Sequence, residues 1–451
     1  MIRNSSEKLF NQLALTAEKN NTIKPELYNL YNVKRGLRNS NGTGVKVGLT
    51  KVGYVKGYKF KENEKVGIEG ELFYRGIKLT EFVKGFQNQG RYGFEECAYL
   101  LLFGDLPTRK ELDEFKCLLD EWRELPPSFT ENMILKIPSK DIMNKLQRSV
   151  LVLYSHDDTP DDISVKNLVT QSIKLIARFP TIISYGYQAK IHYFGKNSLF
   201  IHPPQKGIST SENILFMIRP DNKYTKVEAE ILDLCLVIHA EHGGGNNSAF
   251  ATHVVSSSGT DTYSAVAAAV GALKGPKHGG ANIKVREMIL DIKENAVNWR
   301  QRAMLKDYLF KILRKEAFDK EGLIYGMGHA VYTKSDPRAV LLKEKALELA
   351  IEKDAMDEYN LYKSIEELTV EIFKELKGDD IDICSNVDLY SGFVYEMLNI
   401  PKELYTPIFA SARLPGWCAH RIEQIVSDKK IIRPAYEVVD IGNRYSPLGE
   451  R

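Results

Sequence analysis

Four of the chain's nine histidines, His239, His242, His253 and His278, fall between Val237 and Asn282. His329 follows about fifty positions later. Glycines stand directly against three of them: Gly243, Gly244 and Gly245 after His242, Gly279 and Gly280 after His278, and Gly326 and Gly328 ahead of His329. Glycine lets backbone approach a ligand closely or adopt positive φ. A neutral imidazole held at such a joint can donate a hydrogen bond to a developing oxyanion. For His278 the plainer reading is a cap on the preceding helix.

Three arginines accompany them. Arg338 comes nine residues after His329, just past Asp336-Pro337, which should open a helix. A cation there opposes the helix dipole, so either an anion or a surface ion pair explains it. Arg413 interrupts an apolar helix and Arg433 precedes Pro434. Arginine grips a carboxylate with two parallel hydrogen bonds. Asp388 stands where another apolar helix begins. It is either a carboxylate favoured by the helix dipole or a general base tuned by partial burial. Together these residues suit proton removal next to a carbonyl. Imidazoles would stabilise the enolate and polarise a second carbonyl, and arginines would hold a small polycarboxylate.

The elements that must position them are mostly helices. Residues 1–36 read as short amphipathic helices with Leu9, Phe10 and Leu13 on one face. Asn39 to Gly44 is a turn, and Val45, Val47 and Leu49 begin an alternation that predicts short strands to about residue 75. Beyond residue 79 the pattern predicts helices over 94–103, 109–124, 141–154, 164–177, 227–239, 263–273, 288–316, 336–355, 364–376, 389–398 and 405–425. The acidic run from His156 to Asp162 reads as a solvated loop that caps the next helix rather than a carboxylate metal site. The fold class is therefore all-α with a small N-terminal β element.

At 451 residues the chain can bury a large core, divided between domains. Basic and acidic residues, 62 against 59, nearly balance, which gives no support for a nucleic-acid or membrane-surface role. No apolar run approaches the roughly 20 residues of a membrane span. The N-terminal residues read as neither a signal nor a transit peptide. Cys97, Cys117, Cys235, Cys384 and Cys418 are scattered, which predicts buried, reduced thiols in a cytoplasmic protein.

An ordered set of motifs makes the reading specific: IEGELFYRG (68–76), YLLLFGDLPT (99–108), HAEHGGGNNSAF, GPKHGGAN, GMGHAVY followed by SDPRA, NVDLYSG, and ARLPGW followed by IIRP. In content and order, from about residue 50 to 440, this resembles the citrate synthase family. The resemblance implies that His278 hydrogen-bonds the thioester oxygen of acetyl-CoA and its enol, that Asp388 takes the methyl proton, and that His329 polarises the oxaloacetate ketone. It implies that His242, Arg338 and Arg413 bind substrate carboxylates and that Arg433 does so from the partner subunit of a homodimer. Leu323, Ile324, Gly326, Met327, Gly328, Ala330 and Asn386 would line the coenzyme A pocket. Coenzyme A enters as a cosubstrate, and no metal or permanently bound cofactor is implied. The family's large helical domain would take residues 1–283, a smaller domain 284–394, and the chain would return to the large domain over 395–451. Ser385 replaces a proline common in relatives, Ala330 an arginine common in bacterial members, and the glycine run after His242 departs from a common bacterial pattern. None of these removes a catalytic side chain.

Two other enzymes and a scaffold compete. A 2-methylcitrate synthase would use propionyl-CoA with the same machinery, and one methylene changes binding by only about 1–3 kcal/mol. A metal-dependent hydrolase would use His239, Glu241 and His242, but no HExxH motif is present and the arginines go unexplained. A non-catalytic helical scaffold would show no oxaloacetate-dependent release of coenzyme A.

Overall fold

Strands β1 (Gly53–Lys61) and β2 (Glu64–Tyr74) pair antiparallel, and β3 (Ile77–Lys78) returns along β2 to complete a three-stranded sheet. The hairpin carries glycines where another segment lies flat on it. A Cβ at Gly57 would come 2.4 Å from the Val331 carbonyl oxygen, and one at Gly70 would come 2.1 Å from that of Ser335. The Gly70 N–H donates to Ser335 Oγ at 3.0 Å. The sheet thus backs the segment that joins His329 to Arg338.

This computed structural model describes residues 2–62, 64–378, 382–439 and 445–450. Among the described residues everything else regular is helical, and no helix is long and apolar enough to cross a membrane. The chain divides into two units, Met1–Leu49 with Arg433–Arg451, and Thr50–Ile432. The first holds helices Ile2–Asn21 and Pro25–Leu30, and its Leu9, Phe10 and Leu13 are exposed. The second contains the apolar core and every element of the site described below.

Most helix boundaries fall where caps place them. Phe94–Phe103 stops at Gly104, whose φ of 95° is the left-handed cap that glycine favours. Arg109–Trp122 opens on a capping box between Thr108 and Glu111. Five expectations change, one being that the helix expected over 364–376 runs from Met356 to Lys377. Strand structure begins at Gly53 rather than Val45: Leu49 is 98% exposed, so that alternation has no face to bury. The helix expected to end at Ala177 runs from Val165 to Gly195 through Pro180. Pro180 is buried with its neighbours on both sides, and that packing outweighs one missing hydrogen bond. The expected helix over 288–316 is two, Ala281–Asn295 and Arg302–Leu313, with an Asn298 side chain accepting from Arg300 N–H in the break. Cys117 is exposed, while the other four cysteines are buried and all five are free.

The acidic loop at 156–162 is structural. Asp162 accepts from the backbone and hydroxyl of Ser164, the residue that caps the next helix, and Asp157 accepts from Gln171 and Tyr263.

Candidate active site

Helix Lys226–His239 opens on a capping box between Thr225 and Glu228 and is buried along its second half. His239 stays in the helix. Its Nδ1–H donates to the Cys235 carbonyl at 2.7 Å, its ring lies 4.8 Å from that of Phe409, and burial pushes its pKa down to about 3. It is a neutral core histidine. Its own carbonyl accepts Arg413 Nε at 2.6 Å. The helix ends at His239, which leaves His242 outside it, and the chain turns through Gly243 (φ 83°) just beyond. The His242 ring meets His329 edge-on, 5.2 Å between centroids, and its buried Nε2 has no hydrogen-bond partner among the described residues. Burial first, then Arg338 and His329, holds it well below the usual imidazole range.

His329 follows two glycines at φ 84°, Gly326 and Gly328. At Gly326 a Cβ would lie 2.9 Å from that of Leu389, so the loop needs glycine for contact as well as conformation. Nδ1 of His329 accepts the backbone N–H groups of Val331 and Tyr332, both at 3.1 Å. A neutral ring therefore carries its proton on Nε2, and Nε2–H is a donor. The buried Tyr332 ring stacks on His329 at 4.7 Å.

Asp336 caps helix Pro337–Glu352 by accepting from Arg338 N–H, and its carboxylate also takes the Arg338 guanidinium on two edges, at 3.0 and 2.7 Å. Both residues are buried. Burial lowers the Arg338 pKa but Asp336 more than reverses this, so the cation is held firmly charged. This ion pair explains how an arginine survives at a helix N-terminus. Arg413 lies within helix Tyr405–Ser427, 1% exposed, over the face of Phe409 at 4.9 Å. Its Nη1 is buried with no hydrogen-bond partner among the described residues. Burial lowers its pKa to about 10, still a cation at neutral pH. A desolvated guanidinium with an unmatched donor is a site for an anion.

Asp388 sits at the first turn of helix Val387–Met397. Asn386 caps that helix by accepting from Asp388 N–H at 3.0 Å, and its side-chain amide donates to the Gly328 carbonyl at 2.9 Å. The Asn386 N–H donates to Gly326, and Gly328 N–H to Cys384. One asparagine thus ties the His329 loop to the Asp388 helix. Burial raises the Asp388 carboxyl to about 6, against the pull of Arg338 and Arg413.

His278 lies past the end of helix Thr262–Lys274, where a Gly279 Cβ would strike Leu273 O at 2.4 Å. His278 Nε2 is 3.0 Å from Ser248 Oγ, which also receives Trp417 Nε1–H at 3.0 Å and lies 2.9 Å from Asn246 Oδ1. Burial, then Arg413, lowers the His278 pKa to about 4, so it is neutral.

Arg413 is the common point. Its charge acts on His242, His278 and Asp388, while Arg338 acts on His242 and Asp388. His242, His329, Arg338, Arg413, Asp388 and His278, from five separate stretches of sequence, thus share one electrostatic environment. Within the loop expected to meet coenzyme A, Leu323 and Ala330 are exposed, Ile324 and Gly326 are buried, and Met327 pairs with Ser385. Arg433 is exposed and belongs to the unit of chain ends. Sequence reasoning missed Ser248, Phe409, Tyr332 and the ion-pairing role of Asp336. Asp336 left a signal as the predicted helix opener, and Ser248 and Tyr332 lie inside the motifs around His242 and His329.

The family model described as citrate synthase, C-terminal domain, matches residues 39–435. A citrate synthase of Synechocystis sp. is 34% identical over 85% of this chain and 89% of its own length. A 2-methylcitrate synthase of Shewanella oneidensis is 32% identical over 84% of this chain and 92% of its own. The solved citrate synthase of Thermoplasma acidophilum, in ternary complex with carboxymethyl coenzyme A and oxaloacetate, superposes with a TM-score of 0.76. It is 26% identical, covering 93% of this chain and 99% of that one.

Proposed function

The chain belongs to the citrate synthase family, and we propose that its site condenses acetyl-CoA with oxaloacetate and water, releasing citrate and coenzyme A. One observation carries the residue roles: a carboxyl lifted to about 6 shares its surroundings with imidazoles kept neutral and with two buried guanidinium cations.

Asp388 acts as the base. A carboxylate near 6 is ionised at neutral pH yet more basic than an exposed aspartate, which favours removal of a proton from the thioester methyl. His278 donates to the thioester oxygen as the enol forms. For Nδ1–H to be that donor, Nε2 must accept, which requires the one proton of the Ser248 hydroxyl to turn from Asn246 Oδ1, at 2.9 Å, to His278 Nε2, at 3.0 Å. Trp417 fills the other side of Ser248 and keeps it in place. His329 donates Nε2–H to the oxaloacetate ketone, its tautomer set by two backbone donors on Nδ1. Carbon–carbon bond formation turns that ketone oxygen into an alkoxide, which takes the proton. Hydrolysis of the resulting citryl thioester releases coenzyme A.

Arg338, Arg413 and His242 bind the oxaloacetate carboxylates. Arg413 Nη1 and His242 Nε2, both buried without hydrogen-bond partners among the described residues, find them in the substrate. Leu323, Ile324, Gly326, Met327, Gly328, Ala330 and Asn386 line the coenzyme A pocket. Residues 284–394 form the smaller domain, and its closure keeps water from the enol. The active unit is a homodimer in which Arg433 serves the partner's site. Five free cysteines suit the reducing cytoplasm.

The test is release of coenzyme A thiol with oxaloacetate present, comparing kcat/KM for acetyl-CoA and propionyl-CoA. Acetyl-CoA should be preferred. A clear propionyl preference turns the reading into 2-methylcitrate synthesis with the same residue roles, and no thiol release with either ends it.

A further inference from the structure

Behind the His242 loop lies a second histidine cluster that the condensation does not use. His253, from helix Asn247–Ser256, and His420, from helix Tyr405–Ser427, face each other with Nε2 and Nδ1 3.1 Å apart. Their outer nitrogens are both committed. His420 Nε2–H donates to the Glu241 carboxylate at 3.0 Å. His253 Nδ1–H donates to Gln424 Oε1 at 2.8 Å, and the Gln424 amide is oriented by donating its NH₂ to the Asp428 carbonyl at 3.2 Å. A neutral imidazole has one N–H. Both inner nitrogens therefore present lone pairs, aimed at each other, and only a cation between them resolves the arrangement.

A third group shares that point. Glu423 Oε1 accepts Lys51 N–H at 2.6 Å, while its Oε2 is buried without a hydrogen-bond partner among the described residues, 3.9 Å from His420 Nδ1. The ligand atoms of His253, His420 and Glu423 all lie within 4.8 Å of one another. A proton shared by the imidazoles would leave Glu423 Oε2 unmatched, whereas a metal ion takes all three. Two nitrogens on a tetrahedral ion at about 2.0–2.1 Å stand roughly 3.3 Å apart, close to the spacing observed here. Each histidine already has the outer-shell acceptor that metal-ligating histidines require, a carboxylate for His420 and a side-chain carbonyl for His253.

We propose that His253 Nε2, His420 Nδ1 and Glu423 Oε2 bind one divalent transition-metal ion of the zinc class, with water in the fourth position. The ion ties two helices together directly under the His242 loop. A Cβ at Gly244 would lie 3.4 Å from both His253 Nε2 and His420 Cε1, so that loop rests on the pair. Its role is structural, since none of the three ligands reaches the reacting atoms.

The experiment uses the full-length protein, stripped with chelator and titrated with Co²⁺ and then Zn²⁺. One Co²⁺ per chain should bind with visible d–d absorption, and one equivalent of Zn²⁺ should displace it. Gln424→Ala, which removes an outer-shell acceptor, should weaken binding about 10–100-fold. Glu423→Gln should weaken it further, and this variant folds readily because the residue lies at the rim of the core. His253→Ala should abolish the absorption band. Wild type that binds no more Co²⁺ than His253→Ala, or a Glu423→Gln variant with unchanged affinity, would overturn the proposal. The readouts are independent of turnover and so of the condensation reading.

Discussion

Asp388→Asn should raise stability while it destroys activity. Burial lifts the Asp388 carboxyl to about 6 from an ordinary 3.8. The folded state therefore binds its proton more tightly than the unfolded state does. For a raised carboxyl, the cost of ionisation is absent below about pH 3.8, grows as pH climbs, and is complete above about 6. The shift of about 2.2 units, at 1.36 kcal/mol each, amounts to roughly 3 kcal/mol at pH 8 and about half of that at pH 5. Asparagine has the same shape and no charge, so it avoids this cost. With an unfolding entropy of about 2.1 cal/mol/K per residue, the gain corresponds to about 3 °C in Tm for a chain of 451 residues. The loss of a general base should lower kcat about 10²–10⁴-fold. Differential scanning calorimetry at pH 5 and 8, paired with thiol-release kinetics, reads both quantities. A variant that melts at or below the wild-type temperature at pH 8 would refute the account of Asp388 as a carboxylate held under strain by burial. A wild-type kcat/KM profile with no acid limb near pH 6 would refute its role as the base.

Three further expectations follow from the same geometry. Asp336→Asn leaves the Arg338 cation buried without its carboxylate, and should cost about 3–5 kcal/mol in denaturant unfolding; a loss below 1 kcal/mol would mean that the guanidinium escapes to water. Arg413→Leu removes the buried donor offered to substrate and should raise the KM for oxaloacetate about 10–100-fold, the worth of a charged hydrogen bond, with a smaller change in the KM for acetyl-CoA. Asn386→Ala cuts the link between the His329 loop and the Asp388 helix. It should lower kcat by at least about tenfold for a stability loss near 1 kcal/mol, and unchanged kcat would show that the loop holds without it.

Much of this molecule is written locally. Helix ends at Gly104, at Thr108 and at Thr225 follow from glycine's left-handed freedom and from side chains that reach nearby N–H groups. Such forces act over four residues and leave their mark in four residues. Where packing competes with local preference, the sequence misleads. Pro180 should end a helix, yet buried neighbours carry that helix to Gly195. Leu49 continues an alternation, yet among the described residues no strand pairs with it, and it lies 98% exposed. Asn298 stops a charged periodic run that otherwise reads as one long helix.

The chemistry divides in the same way. Residue types and motif order alone pointed to His242, His278, His329, Arg338, Asp388 and Arg413, because nucleophilic, basic and cationic groups beside glycine joints are legible in one dimension. What each can do depends on distances across the fold. The tautomer of His329 is set by two N–H groups that fold back on Nδ1. The charge of Arg338 is secured by Asp336, and the basicity of Asp388 comes from desolvation among elements far apart in the chain. The Val237–Asn282 stretch shows both sides. Its histidines are visible at a glance, and the motifs already favour His242 and His278; tertiary packing supplies what holds the other two, His239 in the core and His253 against His420. Burial and long-range Coulomb fields have no signature in a linear pattern, because they sum over neighbours that the chain brings together only on folding.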